Sequence, residues 1–148
     1  MPNGLTRPDA VAIIRGGDTD PAIHGQARFY QKRGGVLIAV QVQGLPGEGD
    51  FFALHIHEGG SCSGKGFSDT GGHYNPEKVS HPQHAGDLPP LLNCHGMAYL
   101  VSLTDRFSLP DIIGRTVVIH AGPDDFHTQP AGNSGEKIAC GVIRRNRI

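Results

Sequence analysis

Nine histidines stand in this 148-residue chain, and most of them lie between positions 55 and 127. The first pair is His55-Ile56-His57. Residues i and i+2 of a strand share a face, so these imidazoles can converge on one ion while Ile56 packs the other way. Two half-exposed histidines on a polar strand face would be spelled alike, so the pair alone does not decide. His73 follows, and then His81, His84 and Asp87 recur at three-residue spacing in a segment that Pro82 and Gly86 bend. Three imidazole nitrogens with one carboxylate oxygen make a tetrahedral zinc set. His120 ends the apolar run Val117-Val118-Ile119 and can add a nitrogen to the His55/His57 pair, with His73 as a fourth. Four imidazoles around one ion suit copper, whose divalent form accepts tetragonal nitrogen sets. Asp124 and Asp125 read either as turn formers after Pro123 or as carboxylates that orient ligand histidines through their free N–H groups. His24, His95 and His127 are isolated and read as surface residues.

The elements that must carry these residues are strands. Val11–Ile14, Arg28–Tyr30, Val36–Val42, Phe51–His57, Met97–Leu103, Thr116–His120 and Lys137–Ile143 are short β-type runs without helical periodicity. Val36, Ile38, Val40 and Val42 alternate onto one face, the expected core face. Gly34-Gly35 is the expected hairpin turn into that strand, and Gly44-Leu45-Pro46-Gly47 closes it. Residues 58–93 and 121–136 are rich in Gly, Pro, His and Ser and read as two long loops. Loops of that length in a compact unit are commonly functional, and both hold His and Asp at close spacing.

Composition excludes several classes. The net charge of −1 lacks the basic excess of a nucleic-acid binder. Apolar runs are only a few residues long, so no membrane span is expected. No charged-then-apolar leader is visible, which places the chain in the cytoplasm, or makes it an exported protein whose leader has been removed. Glycine (22) and proline (11) are together at roughly twice their usual level and have no repeat period, which fits a turn-rich all-β unit. The length allows one domain, 1–148, with one core.

Five segments in order, His55-Ile56-His57-Glu58, Gly72-His73-Tyr74-Asn75-Pro76, His84-Ala85-Gly86-Asp87-Leu88, Gly114 to His120, and Gly132-Asn133 leading into Ala139-Cys140-Gly141-Val142-Ile143, carry a resemblance. From about Val11 to Ile143 the chain resembles the copper/zinc superoxide dismutase family. The resemblance implies an eight-stranded antiparallel Greek-key β-barrel, of the immunoglobulin-like sandwich type, with two long functional loops. It implies copper on His55, His57, His73 and His120, and zinc on His73, His81, His84 and Asp87, one ion of each per chain. His73 would bridge the two metals, and Asp124 would join His55 to His81. Cys62 and Cys140 would form the family disulfide, leaving Cys94 as a lone buried thiol. The implied reaction is disproportionation of superoxide to dioxygen and hydrogen peroxide by Cu(II)/Cu(I) cycling, with His73 carrying a proton. Superoxide is then the partner, with the chain a homodimer or a monomer and a copper-delivery protein as a further partner.

The departures concern charge and loop length. Where the family carries an arginine three residues before the cysteine of its last strand, this chain has Lys137. Lysine keeps the cation that steers an anion and loses the planar two-pronged donor. The segments from His81 to His84 and from His120 to Lys137 are shorter than in many members; shortening of the second removes part of the charged funnel, and neither removes a ligand. Two further readings follow: a dismutase-like protein that stores or passes copper with little turnover, and a zinc-stabilised interaction domain whose copper histidines go unused.

Overall fold

The computed structural model describes residues 7–147; residues 1–6 and 148 of the expected 1–148 unit lie outside the described residues. Among the described residues nine strands run in chain order: β1 (Ala10–Gly16), β2 (His24–Lys32), β3 (Gly35–Gln43), β4 (Phe51–Phe52), β5 (Leu54–His57), β6 (Leu91–Leu92), β7 (Ala98–Thr104), β8 (Thr116–His120) and β9 (Lys137–Arg145). A kinked 3₁₀ segment, Lys65–Thr70, and one helical turn, α1 (Leu109–Ile112), complete the elements. Among the described residues no helix is long and apolar enough to cross a membrane.

Seven strands form one curled antiparallel sheet in the order β5-β8-β9-β1-β2-β3-β7. The first and last strands are neighbours and β3 pairs with β7, the long crossings of a Greek key. β4 and β6 pair separately, Phe51 with Leu92 and Phe52 with Leu91. Phe51–His57 is thus one bent strand, broken at Ala53, whose first half pairs with β6 and whose second half pairs with β8. Counted that way the strands number the expected eight. β6 turns through Cys94–Met97 into β7, so the small ribbon links the two edges of the sheet.

The alternation read in the sequence builds the core. Val36, Ile38, Val40 and Val42 are all buried, beside Ala27 and Phe29 of β2 and Ala10, Ala12 and Ile14 of β1. Ala10 lies opposite Phe29, the small side chain leaving room for the large one. Full burial of Phe29 contributes about 2–3 kcal/mol. β5 and β8 are buried on both faces. Leu54, Ile56, Val117 and Ile119 enter the core; His55, His57, Thr116 and His120 lie on the outer side, beneath the two long loops.

Three details depart from the sequence reading. The β2–β3 hairpin turns at Arg33-Gly34, closed by Lys32 opposite Gly35. Gly35 belongs to the strand, pairing with Lys32, and is glycine because any side chain there would collide with the Thr104 carbonyl of β7. Cys94 is exposed, not buried. Its neighbour Asn93 takes the inward position, donating to the carbonyls of Pro46 and Gly47 and accepting from Gly96 N–H, and strand alternation turns Cys94 out. β6, the 3₁₀ segment and α1 also fall where no element was expected.

Candidate metal centre

The register of β5 and β8 sets the frame. His55 pairs with Val118 and His57 with Thr116, so His55, His57 and His120 occupy one face of a two-strand ladder. The first long loop docks on the free edge of β5 through main-chain bonds, with Ile56 N–H donating to Gly86 C=O and Tyr74 N–H to Ile56 C=O, each at 2.8 Å. Those bonds place His73 opposite His57 and Asp87 opposite His55. Arg115 secures the start of the loop, donating to Glu58 C=O at 3.0 Å with its guanidinium 4.2 Å from the Tyr74 ring centre.

Hydrogen bonds assign the ring nitrogens. His57 Nδ1–H donates to Gly71 C=O at 2.8 Å and His120 Nδ1–H to Gly135 C=O at 3.1 Å, which leaves a lone pair on each Nε2. Those two Nε2 atoms are 3.1 Å apart. His55 Nε2–H donates to Asp124 Oδ2 at 2.8 Å, and its buried Nδ1 has no hydrogen-bond partner. His73 places Nδ1 2.8 Å from Asp87 Oδ1 and leaves a buried, unpartnered Nε2. One ring nitrogen from each of His55, His57, His73 and His120 lies within 4.8 Å of the others. Bare imidazole nitrogens facing one another in a dry site are satisfied by a cation, so these residues fit a metal ion.

A second cluster adjoins the first. His73 Nδ1, His81 Nδ1 and Asp87 converge, with His81 Nδ1 3.0 Å from Asp87 Oδ2 yet without a hydrogen bond. His84 Nδ1 stands 3.2 Å from His73 Nδ1 and 3.3 Å from Asp87 Oδ2. By distance alone this second group takes in His55 where the sequence reading has His84. His55 Nδ1 already belongs to the first group and its Nε2 is engaged by Asp124, whereas His84 Nδ1 faces the second. The donor set of nitrogens plus one carboxylate fits zinc. His73 touches both clusters, one nitrogen toward each. Asp124 spans them from behind, 2.8 Å from His55 and 2.7 Å from His81.

Burial sets the protonation. It pushes His57 down to about 2, against the opposing Gly71 hydrogen bond, and His120 to about 4, and it holds His55 far below the ordinary range. His84 is lowered by burial too, with Asp87 opposing. Burial would raise Asp87, but the His73 hydrogen bond and the neighbouring histidines hold it below the usual carboxylate range. His55, His57, His84 and His120 are therefore neutral and Asp87 ionised near neutral pH, the state in which such groups bind metal.

Lys137 reaches over the same region, its Nζ donating to Thr70 Oγ1 at 2.7 Å and Gly71 C=O at 2.9 Å. With Cys62, Lys65, Phe67 and Glu136 it lines an open cavity of about 730 Å³. The Cys62–Cys140 disulfide is present and ties the first long loop to β9. His24, His95 and His127 are exposed. Sequence reasoning missed the carbonyls of Gly71 and Gly135, which set the tautomers of His57 and His120 and carry no residue signature. It also missed Arg106, whose guanidinium donates to Pro82 C=O at 2.8 Å and His84 C=O at 3.0 Å.

Comparison with known proteins agrees with this geometry. Residues 23–143 match the family described as copper/zinc superoxide dismutase (SODC). A copper/zinc superoxide dismutase 2 of Aquifex aeolicus is 37% identical over 142 residues, covering 86% of this chain and 82% of its own. A copper/zinc superoxide dismutase of Legionella pneumophila is 35% identical, covering 92% and 87%. Among solved structures, a double mutant of a SOD-like protein from Bacillus subtilis superimposes with a TM-score of 0.80 at 30% identity, over 89% of this chain and 95% of that one. The clock protein EA4 superimposes with a TM-score of 0.81 at 32% identity, over 99% and 100%.

Proposed function

The chain belongs to the copper/zinc superoxide dismutase family, and from that premise we propose that it disproportionates superoxide to dioxygen and hydrogen peroxide. The observation that carries this reading is the convergence of four ring nitrogens, from His55, His57, His73 and His120, beside a second nitrogen and carboxylate cluster that shares His73. Copper, held by His55, His57, His73 and His120, would supply a one-electron Cu(II)/Cu(I) couple, and zinc, held by His73, His81, His84 and Asp87, would supply a redox-inert charge.

The chain's own residues do the rest. His57 and His120 present Nε2 because the Gly71 and Gly135 carbonyls hold the protons of both rings on Nδ1. His73 can hold a proton at Nε2 while its Nδ1 stays turned to Asp87, which gives the second half-reaction a proton source inside the site. Asp124 keeps His55 and His81 oriented from behind. Lys137 places a cation on the Gly71 carbonyl that also holds His57, where it would raise the arrival rate of an anion.

The test is metal content and superoxide consumption on protein reconstituted with copper and zinc. One copper and one zinc per chain with fast, copper-dependent consumption supports the enzyme. A second reading, a dismutase-like protein that holds copper with little turnover, is favoured by Lys137 in the arginine position and by similarity to a SOD-like protein and a clock protein. Full metal loading with negligible turnover selects that reading. Refusal of copper overturns both.

A further inference from the structure

His81 lies in irregular backbone, and among the described residues neither its N–H nor its C=O has a main-chain partner. Gln129, from the second long loop, supplies both. Gln129 Oε1 accepts the His81 N–H at 2.9 Å and Nε2 donates to the His81 C=O at 2.7 Å. Nε2 also donates to His127 C=O at 3.1 Å, within its own loop. One side-chain amide thus copies the pair of bonds that a neighbouring strand would make, where no strand is available. Asp124, from the same loop, takes the His81 ring at Nε2. The loop therefore holds His81 at three points, and the one ring atom left free is Nδ1, buried, without a hydrogen bond and 3.0 Å from Asp87 Oδ2. Arg106 grips the carbonyls of Pro82 and His84 beyond it.

We propose that Gln129 is a positioning residue for the second metal site: its amide fixes the His81 main chain so that Nδ1 stays aimed at the His73, His84 and Asp87 cluster. The proposal rests on the reading that this cluster holds a metal. The chemistry of the amide is specific. A carboxylate of the same shape keeps the acceptor for His81 N–H and sets a second acceptor against the carbonyls of His81 and His127, where a donor is required.

The experiment titrates Co(II), and Zn(II) by competition with a chelator, into the full-length copper-loaded protein, its Gln129→Glu variant and its Gln129→Ala variant. The visible absorption of Co(II) reports ligand geometry, and thermal melting of the metal-free proteins is measured alongside. Both variants are expected to lose about tenfold or more in second-site affinity. Their Co(II) band should change, with metal-free melting close to wild type. Gln129→Glu carries the test if Gln129→Ala does not fold. Wild-type affinity and an unchanged band in the variants overturn the role of Gln129 alone, as does an affinity loss that only follows a loss of metal-free stability. A wild-type protein that takes up neither Co(II) nor Zn(II) at this cluster overturns the metal reading, and the proposal with it.

Discussion

His55 and His81 meet on opposite oxygens of one buried carboxylate, His55 Nε2 at 2.8 Å from Asp124 Oδ2 and His81 Nε2 at 2.7 Å from Asp124 Oδ1. Each bond holds a proton on Nε2 and so leaves Nδ1 bare. Asp124→Asn keeps the shape but turns a donor toward one of the two rings, forcing that ring to change tautomer. Metal affinity is expected to fall between about 10-fold and 100-fold with the fold retained. Calorimetric titration checks this; unchanged affinity at both clusters would refute the linking role.

Gly132 packs flat against that link. At φ +72° it adopts a left-handed backbone, and a methyl group there would collide with Asp124 Oδ1 and stand 2.7 Å from His81 Nε2. Gly132→Ala should cost about 1–3 kcal/mol in backbone strain and displace the carboxylate as well. The metal losses of Gly132→Ala and Asp124→Asn are therefore expected to be non-additive in a double-mutant cycle. Simple addition of the two would show that they act separately.

Lys137→Ala should slow superoxide consumption and weaken its dependence on salt, since the cation on the Gly71 carbonyl beside His57 is gone. Burial lowers the Lys137 ammonium below its ordinary value of 10.5. The charged form is present below that pKa and lost above it, so activity should hold through neutral pH and fall on the alkaline side, beneath 10.5. Lys137→Arg should move the fall to higher pH. A profile identical in the two proteins would exclude Lys137 as its source.

Acid should destabilise the metal-free protein. Burial lowers His57 to about 2 and His120 to about 4 from 6.5, so below 6.5 the unfolded chain binds protons that the folded chain refuses. Stability is intact above 6.5 and falls as pH drops, by roughly 1 kcal/mol per pH unit for each proton that the unfolded chain binds in excess. The fall continues down to the folded value, about 4 for His120. Urea midpoints of the metal-free protein between neutral and mildly acid pH measure this, and a flat midpoint would contradict it.

Opening the disulfide should cost about 4 kcal/mol on the chain-entropy view, for a sequence separation of 78. Because Cys62 anchors the loop that carries Gly71 and His73, reduction or Cys62→Ser with Cys140→Ser should also weaken metal binding. Melting temperature and metal content before and after reduction test both effects. Full retention of metal by the reduced protein would separate the disulfide from the site.

How much of this was legible in the sequence follows from the range of each interaction. Strand alternation is a local property, so the outward pair His55 and His57 and the inward Val36 to Val42 series could be read directly, as could the two long loops by their glycine and proline. The ordered segments were enough to identify the family, the disulfide and a set of histidines that the structure brings together. Contacts between distant segments lay beyond local reading. The Gly71 and Gly135 carbonyls that choose the tautomers of His57 and His120 are main-chain groups that any residue possesses. Cys94 faces out because Asn93 finds its partners at Pro46 and Gly47, a contact between remote turns. Gln129 stands 48 residues from the His81 main chain it completes. The sequence by itself determined the residue types available to hold a metal, their faces on the strands and the strand alternation. Only the tertiary structure decided which nitrogen of each ring stays bare, because that depends on hydrogen-bond partners delivered by loops far away in the chain.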